Sequence, residues 1–291
     1  ASGEITIFHN SKKIGTRDIP AGYYQLHQNG IYHFNKKNYQ VESIIKTQNG
    51  ANAYLKKSDE IQKRTIPIVK TSLTQVSEKK SIKKEIDSTT TKITLRYGLI
   101  DMNRTITGYL KGNYNDSADK FETINGDSIS TWNNFNWNSK HYCTSIFIPS
   151  EFETKIKSDV KNSIITDSKI HTITHVLVNA SKILTKSESN DIDAYYENGV
   201  IHLFDNTSDG YNGCSKMIYE NFEEIMDTCF DLINECDCPV DPKQKKAVSE
   251  GDEWGGCPKC TFTTNYCQTK NKKLSKNEAL EFFSIFKREI K

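Results

Sequence analysis

Five of the eight cysteines in this 291-residue chain crowd into residues 236–267. They read Cys236-Asp237-Cys238, then Pro239–Gly256, then Cys257-Pro258-Lys259-Cys260, then Cys267. Zinc takes four thiolates or imidazoles in a tetrahedron. A CxxC turn offers two sulfurs from one tight loop, and Pro258 stiffens that loop. Gly255-Gly256 lets the backbone bend close to an ion, and a CxC pair at the end of a long helix delivers the other two sulfurs. The expected ligands are Cys236, Cys238, Cys257 and Cys260, with Cys267 in reserve to displace Cys236 or Cys238. A site with four thiolates is full and leaves no position for a reactive water, so its expected role is structural. An iron–sulfur cluster also uses four cysteines and stands as the rival. A disulfide framework spreads its cysteines through a smaller secreted chain, whereas pairs clustered in a chain with no secretory signal point to a metal in a reducing compartment. Cys229, on an apolar helix face, and Cys143 read as core residues.

Other residues able to do chemistry are fewer. His171 and His175 stand four apart on one helix, a spacing that can clamp a metal, but Thr172 occupies the place where a zinc protease carries Glu. The same face is apolar, so both read as buried, hydrogen-bonded histidines. Asp191, Asp193 and Asp205 read as turn formers. The loop Asp209-Gly210-Tyr211-Asn212-Gly213-Cys214-Ser215 leads into a helix, where free backbone N–H groups can hold an anion, although such glycine turns are common. There is no GxxxxGK[ST], GxSxG or HExxH, so the chain has no ATPase motif and no catalytic residues are assigned. Lys36-Lys37, Lys56-Lys57, Lys63-Arg64, Lys79-Lys80, Lys83-Lys84 and Lys243–Lys246 are candidate phosphate contacts. Trp132, Phe135, Trp137 and Trp254 are candidate stacking residues.

The elements that must position these groups divide the chain in two. Up to about residue 150 the pattern is β-rich, and from 151 to 291 it is helical. Tyr23–His27 and Ile31–Phe34 alternate around Gln28-Asn29-Gly30, and Tyr39–Lys46 and Ala51–Lys56 flank Asn49-Gly50; both predict hairpins. Residues 76–91 are charged and nearly core-free, which predicts a solvated linker. Strands are expected at Lys92–Leu99, Thr105–Leu110, Ser145–Pro149 and Val200–Phe204. Helices are expected at Ile170–Lys186, at Ser215–Glu235 with a serine N-cap, and at Ser275–Lys287, where Ser275 and Glu278 fit a capping box. The expected class is α+β, with a four-cysteine zinc site in the helical part. Aromatics at 10% argue against general disorder, and a net charge of +2 neither demands nor excludes nucleic acid. No apolar run approaches the ~18–20 residues of a membrane helix. Ala1-Ser2-Gly3 in place of an initiator Met reads as a cut within a longer polypeptide.

The C-terminal half resembles a known family. It carries His171-Thr172-Ile173-Thr174-His175-Val176-Leu177, then Ile201-His202-Leu203-Phe204-Asp205, the Gly loop, a long helix ending in CxC, and Gly256 before the CPxC. Lys273-Leu274 precedes the last helix. This is similar to the zinc-binding C-terminal domain of MrfA-like superfamily 2 DNA helicases, the DUF1998 class. Pro20-Ala21-Gly22-Tyr23, Gly30-Ile31-Tyr32 and Thr107-Gly108-Tyr109 resemble elements of the region that precedes it there. The spacer Pro239–Gly256 is longer than the family's, and Tyr211-Asn212 stands where the family has Gly-Gly.

The resemblance implies zinc at the cysteines and a non-catalytic region of a DNA helicase that assists DNA binding and translocation in DNA repair. The motor would be supplied in cis or in trans, and the DNA would be single-stranded or forked. The alternative is a protein-interaction subunit of an antiphage defence or repair complex without a motor. Either reading implies an intracellular protein, cytoplasmic or, in a eukaryote, nuclear.

Overall fold

The structure is a computed structural model. It describes residues 3–19, 21–76, 82–87, 92–116, 120–133, 135–148, 163–188, 191–207, 209–238, 257, 259–262 and 274–286. Cys267, Trp254, Lys79-Lys80 and Lys243–Lys246 lie outside them. Strands dominate the first half and helices the second, an α+β arrangement. The chain forms two compact units interleaved in sequence, one from 1–75 with 101–140, the other from 76–100 with 141–291.

The first unit is built on a five-stranded sheet of β1 (Glu4–His9), β2 (Lys12–Asp18), β3 (Ile31–Phe34), β4 (Lys37–Thr47) and β5 (Gly50–Lys57), in the order β2-β1-β5-β4-β3. The β1–β5 pair is parallel. Alternate residues Ile5, Ile7, Val41, Ala53 and Leu55 point into the core, as a pleated strand requires. Gly50 has φ 150°, and a Cβ there would lie 2.0 Å from the Glu4 carbonyl, so the close approach of β1 requires glycine. The hairpin predicted at Asn49-Gly50 is present, with Thr47 opposite Gly50 and Tyr39 opposite Lys57. The hairpin predicted around Asn29-Gly30 is not. Ala21–Gln25 is a short helix, α1, and β3 pairs with β4 instead. Tyr23 and Leu26 are one helical turn apart and both buried, and Tyr23 packs on Phe135 (4.7 Å) and Trp137 (5.0 Å). That burial outweighs the strand-like alternation. The β3–β4 turn is Asn35-Lys36, with φ of 48° and 60°, a primed turn carrying no glycine.

Long strands carry the chain onward: β6 (Lys63–Val76), β8 (Lys92–Asn113) and β10 (Phe135–Phe147). The two strands expected at 92–99 and 105–110 are one, β8. Within the charged stretch 76–91, residues Ile82–Asp87 form β7, antiparallel to β8 from Ile82 opposite Tyr97 to Asp87 opposite Lys92. A hairpin satisfies backbone groups that a solvated linker leaves to water, and it needs no apolar sequence of its own. A short β9 (Glu122–Asn125) lines β8 at Gly108–Lys111.

The second unit packs four helices against a sheet in which β12 (Val200–Asp205) pairs with β11 (Ile192–Glu197) and β10. These helices are α2 (Ser163–Thr185), α3 (Cys214–Glu220), α4 (Phe222–Asn234) and α5 (Lys276–Phe286). Ile173, Val176, Leu177 and Ala180 of α2 meet Ile201 and Leu203 of β12, Phe222, Ile225 and Ile233 of α4, and Phe282 and Phe283 of α5. Each fully buried Phe contributes about 2–3 kcal/mol. The single helix predicted at Ser215–Glu235 is two. Asn221 breaks it, with φ −114° and ψ 30°, and both its side-chain amide (2.9 Å) and its backbone N–H (3.0 Å) donate to the Met217 carbonyl that ends the first helix.

Candidate metal centre

The residues after α4 bring Cys236 and Cys238 to the last turn of that helix, where Glu235 still holds a helical conformation. The other pair sits on a tight knuckle. The backbone N–H groups of Cys260 (3.3 Å), Thr261 (2.9 Å) and Phe262 (3.0 Å) all converge on the Cys257 carbonyl. The Cys257 N–H donates to Thr261 Oγ1 at 2.6 Å, which locks the turn from the other side.

These two stretches place the sulfurs of Cys236, Cys238, Cys257 and Cys260 within 4.8 Å of one another. The Cys236 and Cys257 sulfurs are 3.8 Å apart. A tetrahedron built on ~2.3 Å Zn–S bonds has an edge of about 3.8 Å. The cavity between these sulfurs therefore fits one ion and leaves no room for several irons with bridging sulfides. Cys260 is fully buried and Cys257 nearly so, whereas Cys236 and Cys238 are half-buried.

Four thiolates around a divalent ion leave a net negative site, and two lysines answer it. Lys276, the first residue of α5, donates from Nζ to Cys238 Sγ (3.1 Å) and to the Cys236 carbonyl (3.1 Å). Lys259 donates its backbone N–H to Cys257 Sγ (3.3 Å), and its ammonium pairs with Asp237 (3.0 Å). Burial opposes the Cys257 thiolate, but N–H groups of Lys259 and Cys260 outweigh it and hold this thiol below its ordinary range. Burial raises Cys238 and Cys260. A bound cation reverses that balance, since coordination favours the thiolate outright.

Helix α2 grips the knuckle. Its residues 172, 175 and 179 lie on one face at helical spacing. Thr172 Oγ1 accepts the Ser275 N–H (2.7 Å), His175 Nδ1 donates to the Thr261 carbonyl (3.0 Å), and Asn179 Nδ2 donates to the carbonyls of Phe262 (2.8 Å) and Cys260 (3.4 Å). His175 is thus the buried, hydrogen-bonded histidine that the sequence suggests, with its partner in the cysteine knuckle. His171 packs against its ring at 4.2 Å. Asn179, Thr261 and Lys276 carried no sequence signal. A polar residue on an otherwise apolar helix face marks Asn179 only in retrospect.

Among the described residues, the remaining cysteines are elsewhere. Cys143 and Cys229 are buried, and burial raises the Cys143 thiol to about 12 and Cys229 well above its usual value. No disulfide joins the described cysteines. The Gly loop does hold an anion, and the anion is internal. The carboxylate of Asp205, fully buried, accepts the N–H groups of Asn212 (3.0 Å), Gly213 (3.1 Å) and Ser215 (2.6 Å). Gly213, at φ 85°, takes the N-cap position expected for a serine.

With this geometry in view, the chain can be set beside known proteins. Residues 173–261 match the MrfA Zn-binding domain. The match spans His175 and Asn179 of α2, the CxC and the CPxC, so this part of the chain is a zinc-binding domain with a four-cysteine cluster that fits zinc. No curated protein matches the chain. A crystal structure of the DUF1998 helicase MrfA bound to DNA shares 18% identity over 97% of this chain, with a TM-score of 0.57. This chain covers 33% of that one, so the likeness shows a common fold over about a third of the helicase. A structure of the same helicase with DNA and AMPPNP shares 17% identity over 97% of this chain and 31% of its own, at a TM-score of 0.49. Among the described residues, no helix is long and apolar enough to cross a membrane.

Proposed function

We propose that this chain is a non-catalytic, zinc-binding region of a DNA helicase that helps to hold and translocate a single-stranded or forked DNA in repair. The observation that carries the reading is the MrfA Zn-binding match lying across the four-cysteine cluster, within a chain of which 97% follows about a third of a DNA-bound helicase in fold. In this reading Cys236, Cys238, Cys257 and Cys260 hold the zinc. The ion joins the end of α4 to the knuckle, α2 grips the knuckle from the other side, and Lys276 ties the start of α5 to the same point. When bound, zinc supplies cross-linking and no reactive water, because its four positions are filled. The motor is supplied in cis or in trans, and reduced thiolates suit an intracellular compartment.

A salt-titrated binding assay with single-stranded, forked and duplex oligonucleotides tests this. Affinity that falls steeply with salt and favours the first two supports it. No binding to any of them at low salt overturns it. The small net charge supports a second reading, a protein-interaction subunit of a defence or repair complex. That reading gains if the zinc-loaded chain ignores DNA and captures a separate helicase.

A further inference from the structure

One end of the five-stranded sheet carries four exposed lysines, and an exposed tyrosine, Tyr114, is held beside the loop that leaves this end. The β3–β4 turn carries Lys36 and Lys37. The β4–β5 register sets Lys57 opposite Tyr39 and Lys56 opposite Gln40, which brings the second lysine pair to the same end of the sheet. All four are exposed, and among the described residues none has an ion-pair partner. The loop that follows β5 is fastened to this end. Asn38 pairs with His33 (2.5 Å) and reaches the Glu60 carbonyl (3.5 Å), while Lys111 takes up the Glu60 carboxylate (2.7 Å).

Tyr114 stands beside this loop, its N–H bonded to the Gln62 carbonyl at 2.6 Å. It is 61% exposed, yet its ring is not loose. His33 meets it edge-on at 6.1 Å, and the Arg64 guanidinium lies 5.7 Å from it. Arg64 is itself fixed between Tyr114 and Phe121 (4.9 Å) and donates to the Asp116 carbonyl (3.0 Å). Folding gains little from a large ring left in water. A ring oriented in advance, with exposed lysines at the same end of the sheet, has the two features that single-stranded nucleic acid requires: a π surface for a base and positive charge for its phosphates.

We propose that this end of the first unit is a single-strand contact, a base stacking on Tyr114 and the flanking phosphates lying on Lys36, Lys37, Lys56 and Lys57. The proposal rests on the DNA-binding reading above and names the surface that carries it. The test uses the zinc-loaded chain and a fluorescein-labelled oligothymidylate, followed by anisotropy over a salt series. Tyr114→Ala is expected to weaken binding about 5- to 150-fold, and Tyr114→Trp to retain it. Replacing the four lysines by Gln is expected to reduce the slope of log affinity against log salt by up to ~3, since each single-strand phosphate contact accounts for ~0.7. These residues are exposed, and unchanged circular dichroism and melting of the variants check that they fold. If the parent chain binds and all variants bind as it does, this surface is refuted while DNA binding stands elsewhere. If the parent chain binds no DNA at low salt, the DNA reading fails and this contact fails with it. If polyglutamate binds the patch as tightly as the oligonucleotide, and Tyr114→Ala changes neither, the patch suits an acidic protein and base stacking is refuted.

Discussion

Asn179→Ala examines whether α2 organises the zinc knuckle or merely packs beside it. The Asn179 amide donates to the Phe262 carbonyl (2.8 Å) and, less ideally, to the Cys260 carbonyl (3.4 Å). Truncation leaves both acceptors without that donor. A hydrogen bond contributes about 0.5–1.5 kcal/mol net, and a buried orphaned acceptor costs about 1–3 kcal/mol. Asn179 is only partly buried, so water takes over the weaker bond, and about 1–2 kcal/mol is the expected loss. That energy comes out of zinc affinity as well as stability, because the knuckle holds its ligand geometry through these bonds. Zinc affinity should therefore fall about 5- to 30-fold, and the melting midpoint by roughly 2–8 °C. Competition against a chromophoric chelator measures the first and a thermal melt the second. A zinc affinity within twofold of the parent, with the melting midpoint of the zinc-loaded protein lowered all the same, would show that Asn179 serves packing alone and would refute the grip.

Three further outcomes follow from the same geometry. Cys257→Ser breaks a ligand set whose binding free energy is folding free energy, so the variant should lose stoichiometric zinc by elemental analysis and aggregate; a soluble, folded, metal-free variant would contradict a structural site. Asp205→Ala removes three N–H acceptors from a fully buried carboxylate and should cost about 3 kcal/mol or more in urea unfolding, with Asp205→Asn milder because one acceptor oxygen remains. Burial pushes the His27 imidazole down to about 4. Between there and the ordinary value near 6.5 the unfolded chain holds a proton that the native chain lacks, so as pH is lowered through this window His27 should take away up to about 1.4 kcal/mol of stability per unit, levelling off below about 4; buried His202, also pushed down to about 4, acts in the same window. His27→Gln should remove its share of that slope and leave the His202 share, and an unchanged slope would refute the assignment.

Much of this was readable from the residues because the signals were local. The CxC and CPxC pairs name their chemistry by side-chain type and spacing, and the periodicity of Ile170–Lys186 places α2 without any neighbour. The Asn49-Gly50 turn falls between strands as its dipeptide implies. Where local patterns misled, packing had overruled them. Tyr23–His27 alternates like a strand, yet the burial of Tyr23 and Leu26 makes it helical. The Asn35-Lys36 turn takes two left-handed residues with no glycine to announce it. Residues 82–87 form a strand because β8 offers unpaired backbone, a fact no composition records.

The sequence alone singled out cysteine thiolates as the expected metal ligands, since thiolate chemistry and the rigidity of a CPxC turn belong to the residues themselves. It left open which pairs would meet, because Cys238 and Cys257 are separated by Pro239–Gly256 and chain spacing does not set distance in space. Only the tertiary structure decided that: α4 delivers one pair to the knuckle carrying the other, His175 and Asn179 hold that knuckle from α2, and Lys276 reaches the thiolates from α5. It likewise placed the Asp205 carboxylate in the Gly loop, a structural role for a loop whose sequence also allowed an anion site. Such contacts join residues far apart in the chain, and they exist only once the apolar faces of the helices have been buried together.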